Sequence, residues 1–271
     1  MKKLFILGFI FSSFVATTSY SLTKNPLILK ASVYKPKAVY LVDEPVWVEY
    51  FIYNTSDDTV WVSPMVLCGN GNTTFEITTG RRNTKLFATG WDKDRKHYSK
   101  ENAGNIQFWK LYCLRINPRD TVYGFYDLTL NVPIAKAGTY HLKKMAFESF
   151  AREGDGVPIY PPFWKGRLET SIDFIINIKT PSDNEKTARI MFREADKKWS
   201  IDKFAQLINL YPNSVYAPKA QVYIIYLTKR QVSSGKYSEE DFQKEIDKLT
   251  ASYPDYPYSL YYKNSKIFMQ D

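Results

Sequence analysis

The chain has 271 residues, a formal net charge of +9, two cysteines and two histidines. The positive charge is spread along the chain, which argues against a dedicated nucleic-acid-binding module, where Lys and Arg collect on one face. So few cysteines and histidines also leave too few ligands for a zinc site. We expect no metal, and no motif points to a cofactor.

Residues 1–21 have the pattern of a secretory signal peptide. Lys2 and Lys3 precede an apolar run, Leu4 to Phe14, that ends in small and hydroxylated residues. The run is shorter than the roughly 20 residues that a membrane-spanning helix needs, so a membrane anchor is the weaker alternative. No cysteine stands at the cleavage zone, as a lipoprotein would require. The sequence predicts a periplasmic or secreted protein with no membrane span in its mature chain.

Residues 22–180 alternate between apolar and polar side chains with a period of two, which is typical of half-buried strands. In the clearest case Val46, Val48, Tyr50 and Ile52 alternate with Trp47, Glu49, Phe51 and Tyr53. The other predicted strands are Leu27–Val33, Val60–Val62, Thr73–Thr79, Leu86–Ala88, Ile106–Ile116, Val122–Leu130, Tyr140–Phe147 and Ile172–Ile178. Many short strands without a long helical period favour a β-sandwich.

Three stretches of this region resemble bacterial immunoglobulin-like domains. Tyr40–Asp57 (YLVDEPVWVEYFIYNTSD) is similar to the strand that opens such domains, Ile116–Val122 (INPRDTV) to a later turn, and Ala137–Tyr140 (AGTY) to a strand start. The resemblance extends to macroglobulin-type domains and to a small bacterial proteinase-inhibitor sandwich. It implies an immunoglobulin-like, mostly antiparallel β-sandwich, and it says more about fold than about activity.

The two cysteines, Cys68 and Cys113, both fall in this region. Export would place them where a disulfide forms and persists, so we expect them to be bonded. Two buried free thiols are the alternative.

A stretch rich in aromatic residues and prolines, Gly154–Gly166 (GDGVPIYPPFWKG), lies between two predicted strands. Prolines stiffen a loop and reduce the entropy lost on binding. Tyr160, Phe163 and Trp164 are therefore candidate partner-binding residues. The alternative is that these rings pack against the sandwich or the helices.

From residue 181 the apolar period changes to that of amphipathic helices. Ser182 with Glu185, and Ser238 with Asp241, have the spacing of capping boxes. Five apolar stripes follow in chain order: Ala188 to Trp199, Phe204 to Tyr211, Ala217 to Leu227, Phe242 to Leu249, and Leu260 to Phe268. The sequence predicts an all-α domain over residues 181–271.

An internal repeat marks this helical segment. Leu210–Ala217 (LYPNSVYA) is echoed by Ser252–Ser259 (SYPDYPYS). The pattern is similar to that of tetratricopeptide repeats in periplasmic scaffolds and outer-membrane assembly lipoproteins. Such arrays bury a continuous core with about three repeats, so we expect the sandwich to pack against this short array and cap it.

The sequence contains no Gly-x-Ser-x-Gly elbow, no phosphate-binding glycine loop and no Cys–His pair at plausible catalytic positions. We therefore expect a non-enzymatic binding or scaffold protein that recognises a protein or peptide in the cell envelope. A glycan-binding or proteinase-inhibitor-like sandwich is the alternative, and an enzyme of unrecognised type is a third possibility.

Overall fold

The structure is a computed structural model that describes residues 25–62, 73–79, 114–131, 134, 136–149, 164, 166–264 and 267–269. The predicted signal peptide, the strand predicted at Leu86–Ala88, most of the strand predicted at Ile106–Ile116, and both Cys68 and Cys113 lie outside these residues. The expected disulfide therefore stays a prediction.

Residues 25–179, here called the β region, contain nine of the ten described strands. They are β1 (Leu27–Val33), β2 (Tyr40–Leu41), β3 (Trp47–Asn54), β4 (Val60–Val62), β5 (Thr73–Thr79), β6 (Leu114–Ile116), β7 (Thr121–Asp127), β8 (Gly138–Ser149) and β9 (Gly166–Lys179), and β10 (Ile267–Met269) follows the helices. One sheet has the order β1-β3-β7-β10 and a second β2-β9-β8-β5, while β4 pairs with β6. Only β2 with β9 and β10 with β7 are parallel among the described pairs, so the mostly antiparallel prediction is confirmed.

The two four-stranded sheets share one apolar core. The ring of Tyr50 on β3 contacts Phe147 on β8 at 5.1 Å between centroids, and Phe75 on β5 lies 4.7 Å from Tyr126 on β7. Tyr50 occupies the space above its register partner Gly124, where an added Cβ would lie 2.1 Å from the ring. Gly124 is therefore required by this close approach.

Residues 183–263, here called the helical region, form five helices. They are α2 (Asp183–Lys198), α3 (Ile201–Leu210), α4 (Ala217–Val232), α5 (Glu239–Ser252) and α6 (Pro257–Lys263), and the short helix α1 (Leu128–Asn131) precedes them. Each of the five packs on the next along the chain. Most residues of the first four predicted stripes lie on their buried faces, as in Phe192 of α2, Phe204 and Leu207 of α3 and Leu249 of α5. Trp199, the last residue of the first stripe, is half exposed.

The two copies of the internal repeat adopt the same turn. Tyr211 and Tyr253 end α3 and α5 with nearly equal backbone angles, φ −135° and −132°, and each donates its N–H to a carbonyl four residues earlier at 2.8 Å. The Tyr253 hydroxyl also donates to the carbonyl of Pro212 at 3.0 Å. The second copy of the turn is therefore packed on the first.

Three local predictions were wrong. The strand predicted to reach Leu130 ends at Asp127, because the Asp127 carboxylate accepts hydrogen bonds from the N–H and hydroxyl of Thr129 and starts α1. The Ser182 side chain makes no capping hydrogen bond. Glu185 instead accepts from the Ser214 hydroxyl at 2.7 Å, in the repeat turn. The capping box at Ser238 is confirmed.

The third difference concerns the fifth stripe. Helix α6 ends at Lys263, and Ile267–Met269 forms β10, which pairs in parallel with Tyr123–Phe125 of β7. An apolar Ile-Phe-Met segment has good strand propensity, and the edge of β7 offers it backbone partners. The chain thus returns to the β region after the helices.

The helical region is packed against the β region, as the shortness of the array suggested. Asp43, in the turn after β2, accepts hydrogen bonds from Arg189 at 2.6 Å and from Arg193 on α2. The Tyr216 hydroxyl, which is fully buried, donates to the carbonyl of Val42 at 2.7 Å. The contact between the regions therefore combines an ion cluster with a buried neutral hydrogen bond.

Candidate functional site

Of the three aromatic residues predicted to bind a partner, only Trp164 lies within the described residues. Tyr160 and Phe163 lie outside them. The Trp164 backbone N–H donates to the carbonyl of Trp61 at 2.8 Å, and its partly buried indole packs against the core of the β region. The Trp164 ring therefore packs against the β region, as in the alternative interpretation of this loop. Partner binding by the rest of the loop stays a prediction.

A cleft lined by aromatic side chains lies where the two regions meet. It has a volume of about 320 Å³ and is here called the seam cleft. Eight aromatic side chains line it: Trp47, Trp199, Tyr223, Tyr226, Phe242, Tyr256, Tyr258 and Tyr262. Its charged lining residues are Asp127, Lys219 and Lys229. These residues belong to separate predicted strands and helices, and the sequence did not predict that they form one cleft.

The β region supplies the floor of the seam cleft through neighbouring strands. Trp47 starts β3 and is paired in register with Asp127, the last residue of β7. Its side chain points away from the sheet core yet is only 7% exposed, because Tyr256 and Tyr258 meet it edge to face at 5.6 and 5.9 Å. Helix α6 thus covers a face of β3 that would otherwise be open to solvent.

Helix α4 supplies one wall. Lys219, Tyr223 and Tyr226 follow each other at spacings of four and three residues, which places them on one helix face. Phe242 of α5 and Trp199, the residue that ends α2, complete the rim on the helical side. Since three helices and two strands contribute, the shape of the cleft depends on the packing of the whole molecule.

A buried ion pair lies at the base of the cleft. The ammonium of Lys219 is 3.4 Å from the Asp127 carboxylate, and the two side chains are 13% and 1% exposed. Asp127 also accepts the two hydrogen bonds from Thr129. Loss of either partner would leave a buried charge without compensation, which is strongly destabilising. This pair therefore belongs to the scaffold of the cleft.

Two further cations lie at the rim, and they differ in whether an acidic side chain is paired with them. Lys229 is paired with Glu239 at 2.9 Å and lies 4.6 Å above the Phe242 ring. The Arg230 guanidinium lies 5.8 Å from each of the Trp199 and Tyr226 ring centroids. No carboxylate among the described residues is within ion-pair distance of Arg230.

Trp199 is held in a conformation that a bulky residue rarely adopts. Its backbone is left-handed, with φ 49° and ψ 48°, and its side chain is half exposed. A non-glycine residue in this region carries a strain of about 1 kcal/mol or more. The surrounding contacts with Tyr223 and Tyr226, at 6.5 and 5.9 Å between ring centroids, fix the indole at the rim.

The hydroxyls of Tyr223 and Tyr256 in the cleft are neutral at physiological pH. Burial, with added repulsion from Asp196 and Asp127, raises the pKa of Tyr223 to about 12. Burial also raises the pKa of Tyr256 well above its ordinary value. These two tyrosines therefore supply apolar surface and neutral hydrogen-bonding groups, and the formal charges at the cleft and its rim are those of its lysines, Arg230 and acids.

A metal cluster and a membrane-spanning helix are both absent from the described residues. No three His, Cys, Asp or Glu side chains converge there as ligands for a metal ion. Across the same part of the chain, no helix has the length and apolar character to cross a membrane. His141 forms a hydrogen bond with Asp173 at 2.6 Å on the outer face of its sheet.

Comparison with known proteins gives little similarity. The sequence matches no protein family and no curated protein. One solved structure, a Bacillus subtilis protein provisionally named a lipoprotein, is 13% identical, with 81% of this chain aligned and a TM-score of 0.21. The chain spans 57% of the length of that protein.

Proposed function

We propose that this chain is an exported, non-enzymatic binding protein of the cell envelope, with an immunoglobulin-like sandwich and tetratricopeptide-like helix pairs that together hold a protein or peptide partner. The observation that carries the proposal is the seam cleft, which both regions line with aromatic side chains. Aromatic residues and arginine dominate the energetics of protein recognition. Ligand pockets have volumes of about 300–1,000 Å³, and the seam cleft, at about 320 Å³, falls at the lower end.

The seam cleft is pre-formed by contacts that do not need a ligand. Trp47 is fixed by Tyr256 and Tyr258, and Trp199 by Tyr223 and Tyr226. Rings that are already ordered lose little entropy on binding, which favours affinity. The half-exposed Trp199 and Tyr226 at the rim offer apolar surface to a partner while the deeper rings stay packed.

The equivalent turns at Tyr211 and Tyr253 support the repeat part of the proposal. Consecutive helices that pack pairwise through the same turn are the unit of helical-repeat proteins. The two facing sheets with a common core support the sandwich part in the same way. Export rests on the signal-peptide pattern of residues 1–21.

The test is affinity capture from envelope extracts with residues 22–271, compared with two matched variants. Tyr226→Ala removes a ring of the seam cleft that is 49% exposed, and Tyr123→Ala removes one of 47% exposure on β7, outside the cleft. We expect a protein that wild type and Tyr123→Ala retain equally and Tyr226→Ala retains at least about tenfold less. Equal retention by Tyr226→Ala would contradict the proposal.

One observation favours the glycan-binding alternative. Tyr123 meets Phe51 edge to face at 5.8 Å on the outer face of the β1-β3-β7-β10 sheet, and Tyr123 is 47% exposed. Exposed rings on a flat sheet can stack on sugars. If Tyr123→Ala, rather than Tyr226→Ala, lost retention, and the retained material were polysaccharide, this alternative would replace the protein-binding proposal.

A further inference from the structure

The three cations at the seam cleft and its rim differ in their partners. Lys219 is paired with Asp127, and Lys229 with Glu239. Arg230 has ring contacts and no carboxylate partner among the described residues. Of these three cations only Arg230 has no carboxylate partner among the described residues, and it is next to the exposed aromatic rim.

Two aromatic rings of the rim lie beside the Arg230 guanidinium. It is 5.8 Å from the ring centroids of both Trp199 and Tyr226. A guanidinium that lies against an aromatic ring keeps its N–H groups free at the edge of its plane. Those donors match the two oxygens of a carboxylate, which a planar fork binds in a bidentate manner.

The rest of the neighbourhood adds positive charge. Lys197 and Lys198 end α2 directly before Trp199, and both are exposed. Asp196, on the same turn, lies near the Tyr223 hydroxyl, and its negative charge helps to raise the pKa of Tyr223. A basic partner would meet these cations with like charge, whereas an acidic one is attracted to them.

We propose that the seam cleft binds an extended peptide segment in which one large apolar side chain enters the aromatic cleft and an adjacent acidic residue pairs with Arg230. This inference rests on the proposed function and names the chemistry of the partner. A cleft of about 320 Å³ suits one anchoring side chain and its neighbours. The same two rings, Trp199 and Tyr226, line the cleft and lie beside Arg230, so the anchor and the acid lie side by side on the partner.

The test uses residues 22–271 and three fluorescein-labelled heptapeptides with the same central tryptophan. The peptides differ only in the flanking residues, which are aspartate, serine or lysine, and binding is followed by fluorescence anisotropy. We expect the aspartate peptide to bind about tenfold more tightly than the lysine peptide, as an added charge-assisted pair allows. This preference should shrink as salt is raised, because salt screens charges near the surface.

Two substitutions separate Arg230 from general charge. Arg230→Gln should remove most of the preference for the aspartate peptide over the serine and lysine peptides. Lys236→Gln is the matched control, since Lys236 also lies 5.8 Å from a ring, that of Tyr237, and does not line the seam cleft. Lys236→Gln should leave the preference within about twofold of wild type, because exposed charges outside the site contribute little.

The possible outcomes distinguish this inference from the proposed function. If all three peptides bind equally and Tyr226→Ala abolishes binding, the cleft is a peptide site and the charge inference fails. If the preference persists in Arg230→Gln, Arg230 is not the partner of the acid and the inference also fails. If no peptide binds at concentrations up to about 1 mM, the weak limit of specific recognition, both the inference and the proposed function are contradicted.

Discussion

The β region and the helical region obtain their cores in different ways. The β region pairs segments that are far apart in sequence, as in Leu27 with Asn54 on β1 and β3, and encloses one large core between its sheets. The most extensive contacts between helices are those of neighbours along the chain, and the helices have two smaller cores. The β region can therefore form its core from its own strands, while the short helical array depends on its contact with the β region.

The contact between the regions shows this dependence. Burial of Asp43 alone would raise the pKa of its carboxyl, but hydrogen bonds from Arg193 and Arg189 outweigh burial and hold that pKa below its ordinary value. Tyr216 belongs to the core of the helical region and also hydrogen-bonds the β region. The strength of this contact between two regions of different architecture can be measured by substitution.

The largest effects are expected from truncation of a fully buried ring in either core. Phe204→Ala in the helical region and Phe147→Ala in the β region should each lower the free energy of unfolding by about 3–5 kcal/mol, because each leaves a cavity. Circular dichroism at helix and aromatic wavelengths should show both variants unfolding in one shared transition. If Phe204→Ala lowered only the helical transition, the regions would be independent.

Asp43→Asn should cost about 1–3 kcal/mol, because it weakens charged hydrogen bonds to Arg189 and Arg193. The folded pKa of Asp43 lies below its unfolded value of about 3.9. Its contribution is therefore complete above that value and is lost as the pH falls through the folded pKa. Urea unfolding at a series of pH values should show the gap between wild type and variant closing in acid.

The control for this prediction is Asp173→Asn. Asp173 also has a hydrogen-bonded partner, His141, but its side chain is 82% exposed. Exposed pairs contribute only about 0–1 kcal/mol, so this variant should unfold close to wild type. An equal loss from both substitutions would mean that the Asp43 cluster does not hold the regions together.

Tyr216→Phe should cost about 1–2 kcal/mol, since it leaves the carbonyl of Val42 without its buried hydroxyl donor. Tyr253→Phe is the comparison, because the Tyr253 hydroxyl donates to Pro212 in an exposed contact within the helical region. Hydrogen exchange of the turn between β2 and β3 should increase only in Tyr216→Phe. A smaller loss in Tyr216→Phe than in Tyr253→Phe would contradict a strong contact between the regions.

The smallest effects concern the helix caps. Ser238→Ala should lower the free energy of unfolding by about 1 kcal/mol, because Ser238 caps α5. Ser182→Ala should have almost no effect, because the Ser182 side chain makes no capping hydrogen bond. Thermal unfolding of the two variants compares them directly, and similar losses would mean that Ser182 does cap α2.

The sequence predicted local structure well where one periodicity held along a segment. The alternation of β3 and the stripe of α3 both describe buried faces correctly, because burial repeats with the geometry of the element. The errors fall where a side chain overrides the period. Asp127 ends its strand by capping α1, and Glu185 leaves its expected cap for Ser214, 29 residues away.

The seam cleft could not be predicted in the same way. Trp47 alternates like the exposed residues of β3, and nothing local shows that Tyr256, more than 200 positions later, will cover it. A tryptophan on the outward face of a strand was the available signal, since a large apolar residue there often marks a covered surface. Which element covers it is a long-range property of the fold.

The pairing of β10 with β7 has a consequence for the order of folding during synthesis. Among the described residues, only residues 267–269 pair with this edge of β7, and they follow all five helices in the chain. An unpaired edge strand is a template for pairing with other chains. The helices are therefore synthesised before that edge is covered, and we expect a chain truncated after α6 to aggregate more readily than the full chain.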